Sequence, residues 1–367
     1  MMGRWMIHGL AHWVWTEFSF EVVIVQGDIN QNTNQEVNQE VHQDTNQESG
    51  QGTHQEAMSE FPEFLPEAVA NLTESESIDF VRQIQRQTIQ TSWPYPHSVL
   101  PIETSFVTGQ PPESRDRLPD APPILLVHGF DSSLLEYRRL FPRLVQQSVT
   151  WAVDLLGFGF TDRPEKLEFT AEAIRTHLYC FWQQIIGRPM VLVGASMGGA
   201  AVMDFALTYP EAVQKVVLLD SAGFVGKPIA SRFLIPPLGQ WATQFLANKK
   251  VRSGIGRKAY ADPDRCATEE AYRCGALHLG MPRWSEALIS FTRNGGYTIT
   301  GDRIAQLPQE TLILWGDRDQ ILPKATAQKF QAALPKSQFI WVENCGHVPH
   351  LEQPDRTAQA IQNFLKK

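Results

Sequence analysis

Residues 190–199 read Met190-Val-Leu-Val-Gly-Ala-Ser-Met-Gly-Gly199. The apolar run Met190 to Val193 is a short strand signal, Gly194-Ala195-Ser196-Met197-Gly198 is a G-x-S-x-G, and an Ala-rich helical run follows. A serine on a sharp strand-to-helix turn needs small neighbours, because the backbone folds back tightly there. The helix N-terminus that follows offers N–H groups to a developing oxyanion. A glycine-rich turn with an incidental serine is the weaker reading, since it leaves the strand before and the helix after unexplained.

The same alternation runs outward in both directions. Short apolar, often β-branched runs occur at Ile124 to Val127, Trp151 to Val153, Val216 to Leu219, Thr311 to Trp315 and Phe339 to Val342. Between them, amphipathic stretches predict helices over Ser133 to Leu144, Thr170 to Ile186, Met197 to Thr208, Lys324 to Ala333 and Pro354 to Leu365. The first of these carries the capping-box pattern Ser133-x-x-Glu136. Strands apolar on both faces that alternate with helices predict an α/β fold with a mostly parallel central sheet and helices on both faces. Residues 224–308 are far too long for one crossover helix and carry Phe233, Leu238, Trp241, Phe245, Trp284, Leu288 and Phe291 at helical spacings. They predict a helical cap inserted before the strand at Thr311. The core is then split into residues 100–223 and 309–367, with residues 58–99 as a helical lead-in.

Serine at its free pKa is a weak nucleophile, so the turn at Ser196 requires a base and a group to orient it. Candidates for both lie downstream. His347 follows the strand Phe339 to Val342, Asp317 and Asp319 follow Thr311 to Trp315, and Asp220 stands one strand earlier, after Leu219. The chain order Ser, Asp, His differs from both other common serine-protease orders.

Five segments, in order, resemble the loops of the α/β-hydrolase superfamily, in its cap-bearing serine esterase and C–C hydrolase branch. Leu126-Val-His-Gly-Phe130 is similar to its H-G loop and Asp154-Leu-Leu-Gly-Phe-Gly-Phe-Thr-Asp-Arg-Pro164 to its glycine loop. Gly194 to Gly199 is similar to its nucleophile elbow, Trp315-Gly-Asp-Arg-Asp319 to its acid loop, and Cys345-Gly-His-Val-Pro-His-Leu-Glu-Gln-Pro354 to its histidine loop. The resemblance spans residues 100–365. It implies Ser196 as nucleophile, His347 as base and Asp319 as orienting acid, with the backbone N–H groups of Phe130 and Met197 as oxyanion hole. Asp220 is the fallback, because some members carry the acid there, and Asp317 is expected to bond loop backbone. The resemblance implies no cofactor and no metal.

Other residues are assigned structural work. His128 is expected to fix the H-G loop, His350 to pack, and Asp154 to receive backbone N–H bonds from the next loop. Gly157-Phe-Gly159 lacks the third glycine and the distant acid of a dinucleotide site. Trp241 and Trp284 are expected to line a substrate pocket, together with the side chains of Phe130 and Met197. Lys249, Lys250, Arg252, Arg257 and Lys258 read as a solvated helix face, with weak docking of the cap on a membrane surface as the functional alternative.

Composition narrows the rest. The chain has 367 residues, 43% of them hydrophobic, in the range of an ordinary globular protein. Its net charge of −8 is uneven, −13 over residues 1–121 and +5 over the remainder. Neither half has the basic density that nucleic-acid binding requires. Cys180, Cys266, Cys274 and Cys345 form no C-x-x-C pair, so reduced thiols and a cytoplasmic location are expected. Residues 30–57 repeat glutamine with a period of four and hold only Val37 and Val41 as sizeable apolar side chains, so residues 1–57 are expected to be a disordered extension. Met58 reads as a candidate start of translation. His8, His12, Glu17 and Glu21 interrupt the apolar stretch Trp5 to Val25, which makes it a poor membrane span and a poor signal peptide.

The expected activity is hydrolysis of a small apolar carboxylic ester through an acyl-enzyme on Ser196. A C–C or amide hydrolase on the same fold and a non-catalytic ligand receptor are the alternatives. Neither the substrate nor the oligomeric state is legible in the sequence.

Overall fold

The computed structural model describes residues 60–93, 98–111, 121–224 and 237–367. The glutamine-repeat stretch, and with it the expected disorder of residues 1–57, lies outside the described residues. Eight strands make one sheet: β1 (Gln85–Trp93), β2 (Ser98–Gly109), β3 (Ile124–Val127), β4 (Thr150–Val153), β5 (Met190–Ala195), β6 (Val213–Leu219), β7 (Glu310–Gly316) and β8 (Gln338–Val342). Their spatial order is β1-β2-β4-β3-β5-β6-β7-β8. β2 runs antiparallel to both β1 and β4, and every other pairing is parallel.

The central strands β3 and β5 are buried along their whole length, because side chains on both faces of the pleat meet helices. Alternation sorts them. Leu125, Val127, Leu192, Val216, Leu218, Ile313 and Trp315 join one core with helices α2 (Ala171–Phe181) and α3 (Met197–Thr208). Ile124, Leu126, Val191, Val193, Val217, Leu219, Leu312 and Leu314 join a second core on the opposite face with α1 (Ser75–Arg82) and the C-terminal helix Pro354–Leu365. Each such aliphatic side chain contributes about 1.5–3 kcal/mol on burial, so the two cores hold the sheet rigidly under the loops at its carboxyl edge.

Among the described residues, the connection between β6 and β7 holds α4 (Leu238–Ala247), α5 (Lys249–Ala259), α6 (Glu269–Ala276) and α7 (Trp284–Arg293), with short helical turns between them. After β7 come α8 (Lys324–Ala333) and α9 (Pro354–Leu365). α9 turns Thr357, Ala358, Ile361 and Phe364 inward, a helical stripe that seats it on the sheet. No described helix is long and apolar enough to cross a membrane.

Two expectations are corrected. Residues 58–99 are not simply a helical lead-in: α1 is there, but residues 85–93 form β1, paired with β2 from Gln85↔Phe106 to Trp93↔Ser98. β1 is an edge strand of mostly polar residues in which Ile89 and Thr91 are buried, so its alternation is faint, and the long ladder to β2 makes it a strand. The helix expected over Ser133 to Leu144 is instead a 3-10 turn, Leu134–Tyr137, followed by the short helix Phe141–Val145. The capping box does not close there. Leu134 N–H donates to Asp154 Oδ1 at 2.7 Å, and Glu136 Oε1 accepts from Gly129 N–H at 3.0 Å rather than reaching back to Ser133.

Candidate active site

The parallel strands deliver their carboxyl ends to one edge of the sheet, where α/β folds gather their ligands. β5 ends there at Ala195, and Ser196 turns the chain into α3 with φ 50° and ψ −119°. That left-handed backbone costs a non-glycine residue about 1–3 kcal/mol, and the surroundings hold it in place. Ser196 N–H donates to Leu219 O at 3.0 Å, and Ser196 O accepts from Gly199 N–H and Ala222 N–H, each at 2.9 Å. A Cβ on Gly198 would collide with Val127 O of β3, so only glycine lets the turn sit so close to the sheet. Met197 opens α3, and its N–H belongs to the first turn, which has no intrahelical acceptor.

His347 follows β8 and Asp319 follows β7. The imidazole Nδ1–H donates to Asp319 Oδ2 at 2.8 Å, and Asp319 Oδ1 accepts from Ile321 N–H at 2.7 Å and Leu322 N–H at 3.0 Å. These three donors fix the orientation of the carboxylate, and with Nδ1–H engaged on Asp319 it is Nε2 of His347 that is left to take a proton. Asp317 turns away and accepts from Cys345 N–H at 3.2 Å, which ties the acid loop to the histidine loop. Asp220 sits beside the pair: Asp220, Asp319 and His347 bring one ligand-type atom each within 4.8 Å of one another. As a metal-ligand set these three fit poorly. Nδ1 is engaged with Asp319, and Asp220 Oδ1 is engaged with Gly316 N–H at 2.8 Å.

Ser196 and His347 lie on the wall of the same cavity, about 330 Å3 in volume. Phe130 also lines it, and its ring contacts Phe158 and Phe291 with centroids 6.3 Å away in each case. Leu246, Ile255, Tyr260, Tyr272, Ile321 and Leu351 complete much of the apolar wall. The pocket expectation for Trp241 and Trp284 is corrected, because neither reaches this wall. Trp241 is 47% exposed on the outer side of α4, and the Trp284 indole N–H donates to Asp131 Oδ1 at 2.8 Å. Met197 is buried beneath the site rather than on the wall.

Asp131 was not among the residues expected from the sequence. Its Oδ1 also accepts from His278 Nε2 at 3.1 Å, and Arg252 of α5 closes on Oδ2. Burial by itself would raise the Asp131 carboxyl, but Arg252, His278 and Trp284 outweigh it and hold it below the usual range. Arg252 therefore does not belong to a solvated basic face. Lys249 and Arg257 are also paired, with Glu269 and Asp264, each at 2.7 Å. The only hint of Asp131 in the sequence is its place directly after Phe130.

Glu352 is a second residue without a sequence signal. It accepts from Gly346 N–H at 2.7 Å and from Ala261 and Asp262 N–H at 3.1 and 3.0 Å, while His347 N–H donates to Ala259 O at 2.7 Å. The end of α5 and the histidine loop are thereby clamped together. His128 is structural: Nδ1–H donates to Gly129 O at 2.8 Å, Nε2 accepts from Leu155 N–H at 3.1 Å, and burial lowers its pKa to about 4. Asp154 accepts from Leu134 and Phe160 N–H, as expected for a loop-fixing carboxyl. His350 is buried against the Tyr137 ring, 5.2 Å between centroids. Glu136 lines the cavity wall, and burial pushes its carboxyl up to about 8.

The profile described as "Alpha/beta hydrolase family" matches residues 124–360. An "Alpha/beta hydrolase domain-containing protein VTE7" of Arabidopsis thaliana is 31% identical over 309 residues, covering 83% of this chain and 90% of the relative. "Lipase 1" of Psychrobacter immobilis is 28% identical, over 66% of this chain and 76% of its own. A "2-hydroxy-6-oxo-6-(2'-aminophenyl)hexa-2,4-dienoic acid hydrolase" of Metapseudomonas resinovorans is also 28% identical, over 67% of this chain and 84% of its own.

Proposed function

The chain belongs to the alpha/beta hydrolase family, and from that premise we propose that it cleaves an apolar carboxylic ester through an acyl-enzyme on Ser196. The observation that carries this reading is the placement of the strained Ser196 turn and of His347, itself bonded to Asp319, on one largely apolar cavity. In the first half-reaction Ser196 Oγ attacks the ester carbonyl while His347 Nε2 takes its proton. The oxyanion is held by the N–H groups of Phe130 and Met197, and Asp319 stabilises the imidazolium through Nδ1–H. As the tetrahedral intermediate collapses, the C–O bond breaks and His347 returns the proton to the leaving alcohol. Water then repeats the sequence on the acyl-enzyme, giving the carboxylic acid and free Ser196.

The test is a fluorophosphonate probe followed by p-nitrophenyl esters of increasing chain length. Ser196 is expected to be the labelled serine, and Ser196→Ala to lose both labelling and ester turnover. Persistent turnover in a folded Ser196→Ala variant would overturn the assignment. The relative named as a dienoic acid hydrolase favours one second reading, cleavage of a C–C bond with the same residues. Turnover of a vinylogous diketone with none of the esters would select it.

A further inference from the structure

Asp220 is wholly buried and takes a left-handed backbone, φ 41°, directly after β6. Its Oδ1 accepts from Gly316 N–H at 2.8 Å, but no N–H or hydroxyl among the described residues reaches Oδ2. A buried carboxylate oxygen without a donor costs about 1–3 kcal/mol or more, so this atom demands an account. The groups that act on it are the carboxyls of Asp319 and Glu352, which would repel a second negative charge. The Cys345 thiol and the His347 imidazole also face it, and burial holds the thiol well above its usual range, hence neutral.

Two ionised carboxylates do not share a dry site within hydrogen-bond range; the pair keeps one proton. The partners decide where that proton sits. Asp319 already accepts from three donors, Ile321, Leu322 and His347, which makes it the acceptor of the pair. Asp220 receives one, from Gly316. We propose that Asp220 is present as the neutral acid and donates its carboxylic O–H to Asp319, which makes it a positioning residue that keeps Asp319 turned towards His347 Nδ1. Burial and the neighbouring Asp319 both raise the Asp220 carboxyl well above its usual range, in line with this placement of the proton. A carboxylic acid kept neutral by its surroundings so that it can donate a hydrogen bond has precedent in enzyme sites. The role rests on the triad reading for Ser196, His347 and Asp319. It is not the role of the orienting acid, because His347 Nδ1 is bonded to Asp319 itself.

Infrared difference spectroscopy tests the proton directly and needs no turnover. The full-length protein at neutral pH is expected to show the C=O stretch of a buried protonated carboxylic acid that is missing in Asp220→Asn. If the two spectra match in that region, the proposal is overturned. The pH dependence of kcat/KM for p-nitrophenyl butyrate gives the second measurement. Asp220→Asn keeps a donor of the same shape and no charge, so the acid limb that reports His347 is expected to stay in place. Its kcat is expected to fall less than about tenfold, against roughly 10⁴-fold when the orienting carboxylate is lost. Asp220→Ala lacks a donor, leaves Asp319 more basic, and is expected to move the acid limb upward. An acid limb that moves downward in Asp220→Asn would mean that an anion had been removed. A limb unmoved in Asp220→Ala would mean that no hydrogen bond had been in use, and either result overturns the proposal. Absence of any ester turnover in the wild type would sink the proposed activity and leave the infrared result standing on its own.

Discussion

The Trp284 indole N–H and Asp131 Oδ1 lie 2.8 Å apart, so a helix from the β6–β7 connection holds the residue next to Phe130. Arg252 and His278, from two further segments of that connection, close on the same carboxylate. Replacing Asp131 with Ala leaves the Arg252 guanidinium, only 15% exposed, without its partner and is expected to cost roughly 3 kcal/mol, read from urea unfolding. The Asp131 carboxyl is held low in the fold, so the stability it contributes is present at neutral pH and is lost as pH falls through its folded-state pKa. The gap between wild type and Asp131→Ala should therefore narrow in acid. A gap that stays constant down to about pH 2 would show that the charge is not what binds the segments.

Glu136 carries the opposite dependence. Its carboxyl is raised to about 8 by burial, so the fold holds the proton more tightly than the unfolded chain does. That contribution is fully present below the unfolded value of about 4.3 and is lost as pH rises through about 8. Glu136→Gln keeps an acceptor for Gly129 N–H and removes the titration. The wild type is expected to lose melting temperature relative to Glu136→Gln between about pH 5 and 8. Parallel melting curves across that range would place Glu136 as an anion in the fold.

Asp319→Asn is expected to be folded and slowed by about 10⁴ in kcat, because the amide favours the wrong imidazole tautomer. Asp317→Asn, which touches loop backbone, is expected to lose far less. Equal losses in the two variants, at matched melting temperatures, would mean that His347 is not oriented through Asp319.

On the ester reading, chain-length preference should follow the cavity wall. Leu246→Ala and Ile255→Ala enlarge the wall and are expected to shift discrimination between short and long acyl chains by about 1–3 kcal/mol. Trp241→Ala, on an exposed face of α4, should leave that preference where it is. A panel of p-nitrophenyl esters reads both, and a large effect at Trp241 alone would relocate the substrate.

Sequence alone determined the features whose physics is local. The strands at Ile124, Met190, Val216 and Thr311 are apolar on both faces because helices cover both, and that burial is written as unbroken runs. The Ser196 turn was legible because steric crowding demands small residues at fixed offsets, whereas strand ends alone offered Asp220, Asp317 and Asp319 alike, and only the resemblance of the acid loop favoured Asp319. Tertiary structure decided the remainder. β1 is a strand because of its ladder to β2, although its own residues are mostly polar. Trp284 looked like a pocket residue because apolar spacing records that a side chain is covered, not what covers it; its indole N–H is spent on Asp131. Asp220 stands beside Asp319 because β6 and β7 are neighbours in register, with Leu219 opposite Leu314. Contacts between residues a hundred positions apart leave no periodicity in the chain, and only packing brings them together.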